Sequence, residues 1–212
     1  MKPQPSGTEF SAEDFQHLIP PPTTMLARPC RRIVFTIKSN DQGWGGDPGA
    51  HGTYTHSWTW FEAGVERWCK TTPAQTTNAG KQSPEQHQRP SLQLDDLCTV
   101  YPEVELNPET GEYAFRHPLF PNEHLRVQQN LTARREPKVH RVVWSYTDNI
   151  DPARDVEAAE QLKTQGRGPA TGDGKFVRDL KLGDVVTLWA KARFPGWTNQ
   201  LESATIDVYY AI

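Results

Sequence analysis

The chain has 212 residues, a formal charge of -3 and an isoelectric point near 6.2, with 35% hydrophobic and 23% charged residues. That length buries one substantial core, and the mildly acidic balance offers no general attraction to nucleic acid or to an anionic membrane surface. Seven Trp, eight Phe and six Tyr offset a mean hydropathy of -0.72, because each ring buries a large apolar area. The polarity is therefore assigned to tails and loops.

Cys30, Cys69 and Cys98 are an odd, dispersed set without CxxC spacing, the pattern of free thiols in a reducing compartment. No apolar run has the length of an export signal or a membrane span, so a soluble intracellular protein is expected, in cytoplasm or nucleus. Asn130-Leu131-Thr132 fits the glycosylation pattern, and without an export signal it reads as a chance match.

Residues 1–29 read as an N-terminal appendage. Ser11 caps a short helix with Phe15, Leu18 and Ile19 as its apolar stripe, and Pro20-Pro21-Pro22 ends it. The main domain is expected over 30–212. Its first strand, 32–38, alternates Ile33, Phe35 and Ile37 with Arg32, Val34, Thr36 and Lys38. A loop over 39–52 carries five glycines and Trp44, a combination in which the indole pins an otherwise wandering chain. The next strand is expected over 53–61, with Tyr54, His56, Trp58 and Trp60 on one face, and 62–69 either continues it or carries a bulge at Gly64.

Residues 70–93, rich in Thr, Gln and Pro, read as a flexible surface excursion within the same domain. A strand over 97–106, made irregular by Pro102, turns at Asn107-Pro108-Glu109-Thr110-Gly111 into 112–116 as a hairpin. Strands follow at 125–131 and 139–147. A short helix is then expected with Asp151 as cap, Pro152 in the first turn and Val156, Ala159 and Leu162 inward. An extended segment at 176–180 leads through a tight turn at 181–184 into the clearest alternation of the chain. There Val186, Leu188, Ala190, Ala192 and Phe194 oppose Val185, Thr187, Trp189, Lys191 and Arg193. A turn at 195–199 returns into a last strand with Ile206, Val208, Tyr210 and Ile212 on one face.

At least six strands and few helices give an all-β class: a single antiparallel β-sandwich, jelly-roll-like, with one or two short peripheral helices. A closed barrel is the alternative. The opening segment and the 183–212 segment share one plan, an alternating strand joined to a glycine turn that carries a tryptophan.

The segments RRIVFTIKSNDQGWGGDPGAHGTYTHSWTWFEAG, VVWSYTDN and LKLGDVVTLWAKARFPGWTNQLESATIDVYYAI resemble a widespread, largely uncharacterised group of fungal β-sandwich proteins. In that group a similar β domain occurs alone or at the C-terminus of longer chains. The likeness covers most of 30–212 and is most specific over 41–60 and 183–197. It carries no catalytic residues across. A looser likeness to galactose-binding-like domains implies a binding module without naming a ligand.

The residues themselves exclude several chemistries. There is no GxSxG elbow, no phosphate-binding loop and no dinucleotide fingerprint. Asp41, Asp47, His51 and His56 fall within one short span, yet such residues also stabilise glycine turns, so neither a metal nor another cofactor is assigned. Carboxylate pairs for a hydrolase can be drawn from Asp41, Asp47, Glu62 or Asp148, and no catalytic residue is assigned from them. The basic run of Arg28, Arg31, Arg32 and Lys38, with Arg134, Arg135, Lys138 and Arg141, reads as a solvated sheet face without a nucleic-acid partner. What remains is a non-catalytic module that binds a carbohydrate or other polar ligand through Trp44, Asp41 and Asp47 of one loop, Trp197 and Asn199 of another, and Trp189. A protein-interaction domain is the alternative partner class, and a hydrolase ranks third.

Overall fold

Ile33, Phe35 and Ile37 are fully buried on one face of the second strand, and the fold is built outward from that strand. A computed structural model describes residues 8–9, 28–70, 97–116 and 120–211. The helix expected over 11–19 and the excursion at 70–93, apart from Lys70, lie outside the described residues. The strands are β1 (Thr8–Glu9), β2 (Cys30–Asn40), β3 (Thr59–Lys70), β4 (Leu97–Tyr101), β5 (Val104–Leu106), β6 (Tyr113–Phe115), β7 (Arg126–Gln129), β8 (Lys138–Ser145), β9 (Val185–Ala192) and β10 (Gln200–Tyr210). The described residues also hold two α-helices, α1 (Val156–Thr164) and α2 (Lys175–Asp179).

The protein is an all-β sandwich with antiparallel sheets. β2 is the middle of a three-stranded sheet ordered β10-β2-β8, and β3 is the spine of a five-stranded sheet. Along β3, β9 covers one edge while β7 and β4 divide the other, and β1 pairs with its last two residues. A strand pair thus reaches into the expected appendage. β5 and β6 form the hairpin expected around 107–111, and the strand expected over 97–106 is split at Pro102.

The alternation read in β2 and β9 aims Phe35 and Ile37 from one sheet, and Val186 and Leu188 from the other, into a single core. Phe61 and Ala63 of β3 face them, and Trp144 of β8 meets Phe35 edge-on at 5.1 Å. Val177 and Leu180, in and just after α2, close one side of this core. All three cysteines are buried.

The two sheets exchange chain at one end. β2 passes to β3 through 41–58, β7 to β8 through 130–137, and β9 to β10 through 193–199. The registers Ser39 to Lys138, Asn40 to Gln200, Trp60 to Gln129 and Thr59 to Ala192 bring these three arches together. Because β2 pairs β10 while β3 pairs β9, the opening and closing segments that share one plan lie side by side in both sheets.

Several local expectations change. The strand placed at 53–61 begins only at Thr59, because 51–58 is turned back on the second arch. Gly52 N–H donates to Thr132 O and Thr132 N–H to Thr53 O, each at 2.8 Å, and His56 sits at φ 54. Gly64 marks a close approach and not a bulge. A Cβ there would lie 2.6 Å from Trp189 Nε1 and 2.7 Å from Tyr101 O, so only glycine lets the indole cross the strand. The bulges fall at Phe61/Glu62 and Val65/Glu66 instead. The first helix starts at Val156, since Asp151 bonds the turn that precedes it, and Val156 is 65% exposed while Ala159 and Leu162 are buried. The extended segment expected at 176–180 is helix α2, with Val177 inward.

One buried amide joins the arches. Asn130, 0% exposed, accepts from Ser39 Oγ at 2.7 Å and donates to Thr59 Oγ1 at 3.0 Å and Asn199 Oδ1 at 2.8 Å. Asn199 in turn donates to Trp60 O and Lys191 O. The glycosylation pattern therefore falls on an amide enclosed by the fold. Replacing Asn130 by Ala leaves Asn199 Oδ1 and the Ser39 hydroxyl without their partner, and the expected loss is about 3 kcal/mol. Urea unfolding with an unchanged slope and a lower midpoint checks it.

Candidate functional site

The arch end of the sandwich carries a row of rings. The first and third arches leave their strands too abruptly to continue the pleat, so their aromatic residues meet one another instead of a facing sheet. Trp44 of the first arch is 58% exposed, and its ring lies 6.3 Å from that of Trp197 in the third, inclined by 38°. Trp197 continues to Phe194 at 5.7 Å, Phe194 to Trp58 at 5.7 Å edge-on, and Trp58 to His56 at 6.4 Å in a near-parallel stack. The Arg193 guanidinium sits 4.4 Å over Trp58, 4.0 Å over Phe120 and 4.9 Å over Phe194, fixing the middle of the row by cation–π contact. Phe120 and Phe194 are themselves exposed.

The loop beneath Trp44 is rigid by construction. Asp41, 1% exposed, accepts from Gly43 N–H at 2.8 Å through one oxygen and from Ala133 N–H at 2.7 Å through the other. Burial pushes its carboxyl up from the ordinary value, against these backbone donors that hold it down. Gly43 takes φ 78 with Arg135 packed where a side chain would be, and Gln42 Nε2 donates to Trp44 O at 2.8 Å. Gln42 Oε1 is buried without a partner among the described residues.

The six predicted site residues thus separate. Trp44 and Trp197 come together. Asp47 lies on the same arch, exposed, where it caps the turn Pro48–Ala50 through Gly49 N–H. Asp41 and Asn199 belong to the scaffold under the rings, with their polar atoms committed to backbone and to Asn130. Trp189 lies elsewhere, on the outward face of the five-stranded sheet, where its indole donates to Thr187 Oγ1 and meets Phe115 edge-on at 4.8 Å. The sequence reading assigns none of Phe194, Trp58, His56, Phe120 and Arg193 to the binding site. The unbroken alternation into Phe194 was the available signal, but it made the ring a strand residue, whereas β9 ends at Ala192.

His51 Nε2 lies 3.1 Å from Gly45 O, and His56 stacks on Trp58, so neither imidazole joins Asp41 or Asp47. Among the described residues no three metal-ligating side chains converge. The basic run is divided: Arg32 stacks on Tyr209, Arg31 on Tyr146, and Lys38 pairs with Glu202. No helix among the described residues is long and apolar enough to cross a membrane.

Comparison with protein-family models, with curated proteins and with solved structures finds no match to this chain.

A titrating group stabilises the first arch. Tyr54 OH bonds His140 Nε2 and Lys138 Nζ, each at 2.9 Å. Burial, and then the positive charges of Lys138 and Arg134, push the imidazole down from 6.5 to about 4. The folded protein thus holds His140 neutral where the unfolded chain takes up a proton. Stability from this group is complete above pH 6.5 and is lost as pH falls toward about 4, by roughly 3 kcal/mol. Urea midpoints measured across that interval should fall in the natural protein, and His140→Gln should flatten part of the slope.

Proposed function

We propose that this protein is a non-catalytic binding module that takes a carbohydrate chain on the row of rings from Trp44 to His56. The observation that carries the proposal is that row itself: Trp44, Trp197, Phe194, Trp58 and His56 in unbroken contact, contributed by two different arches. Trp44, Phe194 and His56 are exposed and Trp58 and Trp197 half-buried, and a contiguous, partly exposed aromatic surface marks a recognition site. Sugar rings present apolar faces between hydroxyls, which suits indole faces bordered by polar side chains. Asp47 and Thr198 are exposed on the two arches that carry the rings. The rings are held before any ligand arrives, because Asp41, Asn130 and Asn199 fix the arches by buried hydrogen bonds, and that lowers the ordering cost of binding.

A protein partner is the second reading. Arg193 held over Trp58, Phe120 and Phe194 gives the Trp–Arg composition of interface hot spots. No catalytic assignment is supported. Asp41 is enclosed by backbone donors, and Asp148 accepts Ser145 N–H as a turn residue.

A glycan array with the full chain tests the proposal. Binding to one or more linear glycans is expected, with Trp44→Ala lowering affinity about tenfold, equivalent to about 1.4 kcal/mol. Because Trp44 stands largely in solvent, the melting transition should stay unchanged. An array without signal, together with a defined protein captured by the natural chain and lost in Trp44→Ala, would move the function to the second reading.

A further inference from the structure

The outward face of the five-stranded sheet holds a cleft of about 250 Å³ whose floor is a buried ion pair. Alternation along β3 and β9 turns Glu62 and Lys191 outward, and the register places Trp189 opposite Glu62. Glu62 is 3% and Lys191 9% exposed, and Lys191 Nζ donates to Glu62 Oε2 at 2.5 Å. The other oxygen, Oε1, accepts from Trp60 Nε1 and from Asn122 N–H, both at 2.8 Å. Trp189 forms a wall, drawn onto the strand by the missing side chain of Gly64. Glu103 and Arg116 pair at 3.1 Å across the rim.

A buried ion pair adds little to stability compared with apolar residues in its place, so its position at the bottom of a cleft calls for another use. A carboxylate offers about four lone-pair positions and an ammonium three N–H donors. Among the described residues Glu62 uses three of its positions and Lys191 one of its donors. One acceptor position and two donors therefore remain, pre-oriented side by side. Charge narrows the ligand further: Glu62 offsets Lys191, and Glu103 offsets Arg116, so the lining as a whole is neutral. The volume equals the liquid volume of about eight waters and lies below the range of drug-sized sites.

We infer that this cleft is a second binding site, taking one neutral sugar ring whose adjacent hydroxyls bond Glu62 and Lys191 beside the Trp189 indole. One hydroxyl donates to Glu62 Oε2, and its neighbour accepts from Lys191 Nζ. A charged ligand would leave its charge uncompensated by the lining. The site stands independently of the ring row, since it shares none of its side chains.

The test follows the indole N–H resonances of the ¹⁵N-labelled full chain during titration with D-glucose, D-galactose, D-mannose and N-acetyl-D-glucosamine. Saturable movement of the Trp60 and Trp189 signals is expected with at least one sugar, and it should persist in Trp44→Ala. Lys191→Met should weaken it about tenfold. Because that change strands a buried carboxylate, the double variant Glu62→Gln/Lys191→Met is measured as well; it removes both charges and should show the same loss with the fold retained. Unmoved Trp60 and Trp189 signals with all four sugars would overturn the inference. So would undiminished movement in the double variant, or movement abolished by Trp44→Ala, which would assign the effect to the ring row.

Discussion

The Asn130 side chain is the contact on which the arch end depends. Three chain segments cross between the sheets there, and each crossing leaves backbone and side-chain polar groups that no strand ladder can satisfy. Asn130 meets this demand with one amide: its oxygen faces β2 through Ser39, and its nitrogen faces β3 through Thr59 and the third arch through Asn199. Asn199 passes the connection to β9 at Lys191 O. Thr132, also fully buried, adds a second tie by donating to Thr55 O. A fully satisfied buried network of this kind specifies one geometry, because any shift of one arch strands donors in the others.

That constraint shapes the surface above it. Rings on two independent loops would drift, but here Trp44 rests on a loop clamped by Asp41 and Trp197 on a turn clamped by Asn199. The inclined contact between the two indoles is thus a consequence of buried polar chemistry one layer below. Arg193 extends the same logic sideways, as its backbone N–H donates to Trp58 O while its guanidinium lies over the Trp58 ring.

The five-stranded sheet spends its two faces differently. Its inner face is apolar and closes the core with β2, β8 and β10. Its outer face carries Trp60, Glu62 and Lys191 in nearly complete burial, where an ordinary antiparallel sheet presents polar residues to water. Gly64 is what permits this arrangement, because the indole of Trp189 lies across the strand at the one position that lacks a Cβ.

The sequence by itself determined the strand faces. Period-two alternation in 32–38 and 185–192 is a local property of the pleat, and it set Val186 and Leu188 on the face opposite Trp189 and Lys191 without knowledge of any partner, while the packing of the sheets decided that the first face is the inner one. Turn chemistry likewise marked the hairpin at 107–111 and the glycine loops of two arches. Local pattern failed at 53–58, where alternating rings mimic a strand while His56 and the pairing with Thr132 bend the chain, and at 176–180, where a five-residue helix is too short to show a period. Only the tertiary structure decided which residues share a site. Asp41 and Asn199 have the composition of ligand-binding groups, yet buried Asp41 accepts from two backbone N–H groups and half-buried Asn199 has its amide bonded to Asn130, Trp60 and Lys191. Glu62 and Lys191, separated by 129 positions in the chain, meet only because β3 and β9 pair in one register. Register across strands depends on the packing of both faces at once, and no stretch of a single strand encodes that.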